Sequence, residues 1–170
     1  MFPLESFFKL ATGMTKAVQY LHNDLGMIHR QLHMGKWVTQ NDKAVLLFSC
    51  DSKVIGKDGV IKALDGPDSK KYHAPEVREK KSYGIKSDVW TLGKVFNRML
   101  QRGKEDNDIT MYDPDVVEFI EWLKTEDVQA RPTIDEVAER LQLLIQDHEK
   151  KAGEKFTPST KSLFTQEANH

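Results

Sequence analysis

The sequence holds a single cysteine, Cys50, and no apolar run approaches the roughly 20 residues that a membrane-spanning helix needs. One thiol cannot form an internal disulfide, so a disulfide framework is excluded. Neither sign of charge predominates, because 25 Lys and Arg are mixed with 26 Asp and Glu to give a formal net charge of −1. Nucleic acids and anionic membranes bind basic surfaces, so neither is expected as a partner.

The N-terminal segment MFPLESFF has neither the basic start nor the long apolar stretch of a secretory signal. Together with the scarcity of cysteine, this predicts a cytoplasmic protein, with a nuclear location left open. The 170 residues are 39% hydrophobic and 30% charged, which is ordinary for one globular domain and excludes the disordered and fibrous classes.

Helical periodicity is what the sequence does contain. Apolar residues recur at steps of three and four in four segments, namely the N-terminal stretch to about residue 22, SDVWTLGKVFNRML, DVVEFIEWLK and TIDEVAERLQLLIQDHEKK. Two short β-branched and apolar runs around Asn41-Asp42-Lys43 predict a β-hairpin. Gly and charged residues in 51–71 indicate a long loop. The composition of residues 152–170 predicts a disordered tail, which leaves one mainly α domain over residues 1–151.

Four segments occur in an order that is typical of protein kinases. YLHNDLGMIHRQLHMGKWV resembles the end of a large-lobe helix with the catalytic loop, YHAPEV resembles the APE motif, and SDVWTLGKVF and RPTIDEV resemble the helix and the Arg-Pro element that follow. The resemblance covers about residues 4–148. It implies a mainly α, kinase-like C-terminal lobe with a small β-hairpin. The small N-terminal lobe is expected to be absent, because the sequence has no G-x-G-x-x-G loop.

The catalytic loop departs from the family at the positions that carry its chemistry. In the pattern H-R-D-x-x-x-x-N the Asp accepts a proton and the Asn holds a metal ion. The resemblance retains His29 and Arg30 but places Gln31 at the Asp and Lys36 at the Asn. A Gln side chain cannot act as a general base, and an ammonium repels a metal ion. These exchanges predict a pseudokinase that is not an enzyme and that holds no metal ion or other cofactor.

The family's metal-binding D-F-G motif should follow the hairpin. An ungapped alignment places Ser49 at its Asp, and a slip of two residues places Asp51 there instead. The ungapped register is favoured because it leaves Asn41-Asp42-Lys43 at the hairpin turn.

The residues that match the family best are expected to have structural roles. The resemblance implies that Glu76 and Arg131 form a buried ion pair. It also implies that Asp88 accepts hydrogen bonds from the backbone of the loop that contains Arg30. In the long loop, Ser69 occupies the family's phosphorylation position, and Arg30 is the candidate to bind its phosphate.

A large lobe without its small lobe exposes the surface that the small lobe would cover. Trp37 and Phe48 are the candidate partner residues on that surface. The predicted function is an inactive kinase-like module that binds and regulates or scaffolds another protein, either a kinase or a kinase small lobe, and that could self-associate. The alternative is the C-terminal lobe of a divergent Ser/Thr phosphotransferase whose N-terminal lobe lies outside this chain.

Overall fold

The computed structural model describes residues 4–41, 43–55, 59–61, 72–79, 81–105 and 113–154. Within these ranges the chain forms five α-helices: α1 (Leu4–Gln19), α2 (Pro75–Arg78), α3 (Lys86–Glu105), α4 (Pro114–Leu123) and α5 (Ile134–Glu154). Helix α1 continues directly into one π-helical turn, Tyr20–Asp24. The described part of the chain is mainly α, in agreement with the helical periodicity of the sequence.

Six short strands in the described ranges form three antiparallel pairs. Strand β1 (Met27–Ile28) pairs with β4 (Lys53–Val54), β2 (Trp37–Gln40) with β3 (Lys43–Leu46), and β5 (Val60–Ile61) with β6 (Tyr83–Gly84). The β2–β3 pair is the predicted hairpin, and the structure confirms it. The other two pairs were not predicted from the sequence. Each of their strands has only two residues, which is too short for an alternating pattern to be recognised.

The hairpin turns at Asn41, whose φ of 50° is left-handed. Asn tolerates this conformation better than most residues, as a tight turn requires. The register pairs Trp37 with Leu46 and Gln40 with Lys43. Asp42, the middle residue of the predicted turn, lies outside the described residues.

The core lies where α1, α3, α4 and α5 meet. Phe7 of α1 packs edge-on against Phe96 of α3 with ring centroids 5.8 Å apart, and Phe96 stacks on Phe119 of α4 at 6.3 Å. Leu32, from the segment after β1, and Trp37, at the start of the hairpin, are buried in the same core. The core therefore anchors the segment that resembles a catalytic loop in its middle, at Leu32, and at its end, at Trp37.

The structure corrects the prediction that Trp37 belongs to an exposed partner surface. Trp37 is only 8% exposed, whereas Phe48 is 71% exposed. Successive side chains of a strand point to opposite faces, so Trp37 faces the core and Val38 faces outward. The paired residues Val38 and Val45 are exposed on the outer face of the hairpin, and Leu47 and Phe48 are exposed directly after it.

Helix α5 is longer than the sequence predicts, because it runs to Glu154 and includes the first residues of the predicted tail. Residues 155–170 lie outside the described part of the chain, as do residues 62–71 of the predicted long loop. None of the described helices is both long enough and apolar enough to cross a bilayer.

Helices α3 and α4 approach each other closely at Gly93. A Cβ atom at this position would lie 2.9 Å from both Leu123 Cβ and Lys124 Cγ. Contacts this short force the neighbouring helix to move, so the close packing of α3 on α4 requires glycine here.

The Gly93→Ala substitution is expected to lower the free energy of unfolding by about 1–3 kcal/mol, because overpacking outweighs the better helix propensity of alanine. Gly153→Ala in α5 is the matched control, since its added Cβ would meet nothing within 4 Å. Urea unfolding of both variants measures the difference. Equal stability of the two would show that α3 and α4 separate without cost.

Candidate functional site: a loop held by Asp88

The backbone of the segment between β1 and β2 is hydrogen-bonded to Asp88, in the first turn of α3. The backbone N–H of His29 donates to Asp88 Oδ2 at 2.7 Å, and that of Arg30 donates to Oδ1 at 3.0 Å. His22 Nε2, from the π-helical turn, lies 3.0 Å from Oδ2. Asp88 is 2% exposed, and these three contacts satisfy its buried carboxylate. The contact between Asp88 and the loop backbone is the one that the resemblance implied.

His29 ties the same loop to the strand end after the hairpin. The backbone N–H of Gln31 lies 3.3 Å from His29 Nδ1, which therefore accepts, and His29 Nε2 lies 3.0 Å from the carbonyl oxygen of Leu47. A carbonyl can only accept, so the hydrogen bonds assign the proton to Nε2. His29 is buried and has a positioning role.

Arg30 adopts a left-handed conformation with a φ of 70°. This conformation is strained for a residue with a Cβ. It persists here because Asp88 accepts hydrogen bonds from the backbone N–H groups of both His29 and Arg30. The Arg30 guanidinium donates to the carbonyl oxygen of Asp51 at 3.1 Å and lies 5.5 Å from the centroid of the Tyr83 ring. Ser69, the residue whose phosphate Arg30 was expected to bind, lies outside the described residues.

Burial raises the pKa of the Tyr83 phenol, although the nearby Arg30 cation opposes this shift. Tyr83 therefore stays neutral over the ordinary pH range and offers the guanidinium an aromatic face.

Gln31, at the position of the family's proton acceptor, donates a hydrogen bond from Nε2 to Asp51 Oδ2. The backbone N–H of Asp51 lies 3.3 Å from Ser49 Oγ, and Ser49 itself is buried. The carboxylate of Asp51 therefore contacts the loop, whereas Ser49 is buried. Cys50, between them, is exposed.

The residues around Gln31 do not fit a resident Mg²⁺ ion. Magnesium prefers carboxylate and other oxygen ligands in octahedral geometry. The loop contributes the Lys36 ammonium at the end of a 3₁₀ turn, Met34–Lys36, and Asp51 is the carboxylate that contacts Gln31. Across the described residues, no group of three or more His, Cys, Asp or Glu side chains could hold a metal ion.

Glu76 and Arg131 form a bidentate ion pair. Arg131 Nη1 lies 2.7 Å from Glu76 Oε1, and Nη2 lies 3.0 Å from Oε2. The Ser87 hydroxyl donates to the same Oε1 at 2.7 Å. Arg131, only 1% exposed, also donates to the backbone carbonyl oxygens of Lys86, Thr125 and Glu126. The two residues that the resemblance paired are therefore in contact.

Burial by itself would raise the pKa of Glu76, but the hydrogen bonds from Arg131 and Ser87 outweigh it. The pKa of this carboxyl therefore lies below its ordinary value. Glu76 stays ionised and links α2 to the start of α3 and to the segment before α5.

Two members of the site were missed by reasoning from the sequence. His22 contacts Asp88, and Ser87 contacts Glu76. Both lie inside segments that match the kinase pattern, YLH and SDVW, so the signal was present. The partners are 66 and 11 residues apart in the chain, and the motifs used for the resemblance assigned no role to either side chain.

Comparison with known proteins agrees with this geometry. The family described as protein tyrosine and serine/threonine kinase matches residues 1–155. The chain belongs to the protein kinase family. Among its kinase relatives, serine/threonine-protein kinase STY46 from Arabidopsis thaliana is 27% identical over 180 residues, which cover 94% of this chain and 31% of that protein. Serine/threonine-protein kinase PLK4 from Nematostella vectensis is 33% identical over 100 residues, which cover 54% and 9%.

The kinase comparisons contradict the prediction that this chain is not an enzyme. The matched family consists of kinases, and the relatives are named serine/threonine kinases. The prediction rested on Gln31, Lys36 and Ser49, and it considered a carboxylate only at the family's own positions. The structure shows a carboxylate, that of Asp51, in contact with Gln31. The chain spans about a third of the length of STY46.

Glu76→Ala and Arg131→Ala are each expected to lower the free energy of unfolding by about 3–5 kcal/mol, because each leaves a buried charge unpaired. The double variant should cost much less than the sum of the two. The matched control is the exposed pair Arg140 and Glu118, 2.6 Å apart, which should couple weakly. Urea unfolding of all variants gives both coupling energies. Additive effects at Glu76 and Arg131 would contradict the pairing.

The low pKa of Glu76 predicts a loss of stability in acid. Its folded-state pKa lies below the unfolded value of about 4.3, so its contribution is fully present above that pH and is lost as the pH falls through the folded pKa. Urea midpoints measured from pH 7 to pH 3 should fall for the wild type. Glu76→Gln should be less stable at pH 7 and should fall less. Parallel curves for the two proteins would exclude Glu76 as a source of the acid sensitivity.

Proposed function

We propose that this chain is the large lobe of a serine/threonine-type protein kinase and that it positions a Ser or Thr hydroxyl for phosphoryl transfer. The observation that carries the proposal is the loop of His29 and Arg30, whose backbone is held by Asp88 at 2.7 and 3.0 Å. The match of the kinase family to residues 1–155 and the names of the relatives support it.

Positioning is the main task of a protein that catalyses phosphoryl transfer, because little covalent chemistry falls to its side chains. In this chain Asp88 fixes the loop backbone, the His29 ring fixes the distance to the hairpin, and Leu32 anchors the loop in the core. The ion pair of Glu76 and Arg131 holds α2 against the segment before α5, and the hydrogen bond from Ser87 to Glu76 holds it against α3. Each contact restricts where a bound substrate can lie.

The exposed apolar face of the hairpin supports a second part of the proposal. Val38 and Val45 are exposed on this face, Leu47 and Phe48 are exposed directly after the hairpin, and exposed apolar patches mark interaction sites. We propose that a kinase small lobe covers it, supplied by another part of the same protein or by another kinase. The nucleotide that donates the phosphate would bind between this face and the small lobe.

Phosphate transfer from radiolabelled ATP by the full-length protein that contains this chain tests the function. We expect label on Ser and Thr, and not on Tyr, above the level of a heat-killed control. Asp88→Asn, which weakens the hold on the loop backbone, should reduce the rate about 100-fold, because a misplacement of about 1 Å has that cost. Incorporation no higher than in the heat-killed control would overturn the proposal.

Asp147→Asn is the matched control for this experiment, since Asp147 lies on the exposed side of α5 and only approaches Lys150 at 3.8 Å. It should transfer phosphate like the wild type. Melting temperatures of both variants establish that they are folded.

A further inference from the structure

We propose that Asp51 is the proton acceptor of this site and takes the role that the family assigns to position 31. The inference rests on the proposed function and names the catalytic group within it. It follows from the contact between Gln31 Nε2 and Asp51 Oδ2, which brings a carboxylate to the position where the loop itself has none.

Three contacts fix the orientation of Asp51. Its backbone N–H lies 3.3 Å from Ser49 Oγ, its carbonyl oxygen accepts from Arg30 at 3.1 Å, and its carboxylate accepts from Gln31 through Oδ2. Asp51 is half-buried, so its carboxylate is held by the site and remains accessible. Gln31 engages Oδ2, and in the proposal the other oxygen, Oδ1, accepts the proton.

Two other carboxylates of the described site, those of Asp88 and Glu76, already make structural contacts. Both oxygens of Asp88 accept from the loop backbone, and Asp88 is buried. Both oxygens of Glu76 accept from Arg131. A buried carboxylate that is fully hydrogen-bonded cannot reach a substrate hydroxyl, so neither of these residues can be the acceptor.

Gln31 and Asp51 are chemically compatible as a pair. An Asp at position 31 would place two carboxylates within hydrogen-bonding distance, where like charges oppose ionisation of both. The Gln31 amide instead donates a hydrogen bond to Asp51. In the proposal, the Gln31 amide orients the carboxylate of Asp51, and that carboxylate accepts the proton of the hydroxyl.

A role for Asp51 as a metal ligand fits the surroundings less well. A magnesium ion needs several oxygen ligands, and the described residues provide no cluster of acidic side chains beside Asp51. A proton acceptor needs one ionised carboxylate within reach of the hydroxyl. Asp51 provides one such carboxylate beside Gln31.

In the proposed step, the Ser or Thr oxygen of a protein substrate bonds to the γ-phosphorus of a nucleoside triphosphate. The bond from that phosphorus to the bridging oxygen breaks, and the nucleoside diphosphate leaves with the electron pair. The hydroxyl proton passes to Asp51 and is later released to water. Asp51 is regenerated, so the carboxylate is a catalyst and not a reactant.

The test is steady-state phosphate transfer by the full-length protein carrying Asp51→Asn. Loss of the acceptor should lower kcat at least 100-fold, because a positioned base contributes about 10²–10⁴. The KM values for nucleotide and protein substrate should change less than threefold, since Asp51 acts on the transferred proton. Asp51→Glu should retain at least ten times the activity of Asp51→Asn, because a carboxylate is still present.

Asp147→Asn again serves as the control and should match the wild type. A kcat for Asp51→Asn within tenfold of the wild type would overturn the inference, as would a loss confined to KM or accompanied by a lower melting temperature. An inactive wild-type protein would overturn the proposed function itself, which distinguishes the two failures.

Discussion

The buried carboxylate of Asp88 is the constraint on which the site depends. Removing an ionised carboxylate from water costs several kcal/mol unless hydrogen bonds replace its hydration. Here the replacements are the backbone N–H groups of His29 and Arg30 and the ring of His22. Its position in the first turn of α3 adds the favourable field of the helix N-terminus. Because these donors belong to the loop, satisfying Asp88 also shapes the loop and stabilises the left-handed backbone of Arg30.

The start of α3 joins two anchors that serve different segments. Ser87 donates to Glu76, whereas its neighbour Asp88 accepts from the loop. The carbonyl oxygen of Lys86 accepts from Arg131 at 3.0 Å, which adds the segment before α5. Three consecutive residues of one helix therefore position α2, the loop and the segment before α5 relative to one another. A displacement of the N-terminus of α3 would therefore alter the contacts with α2, with the loop and with the segment before α5.

Structural and chemical roles are separated in this kinase domain. The positions that match the family pattern, such as Glu76, Asp88 and Arg131, have buried contacts that maintain the lobe. Of the positions that differ, Gln31 and Lys36 are partly exposed on the loop, whereas Ser49 is buried and small. This separation explains how a chain can keep the kinase fold while the residues at its chemical positions change. It also explains why an inference of inactivity from those positions alone was unsafe.

The sequence by itself determined the elements that repeat a local pattern. The helical periods and the hairpin are local properties of the chain, and the resemblance to protein kinases implied the contacts of Asp88 with the loop and of Glu76 with Arg131. Only the tertiary structure decided that Trp37 is buried while Phe48 is exposed, and that Asp51 contacts Gln31. Strand alternation allows either face of a hairpin to be the inner one until α1 packs against it. The contact of Asp51 with Gln31 joins residues 20 positions apart, and it depends on the pairing of β1 with β4, whose two-residue strands leave no periodic trace in the sequence.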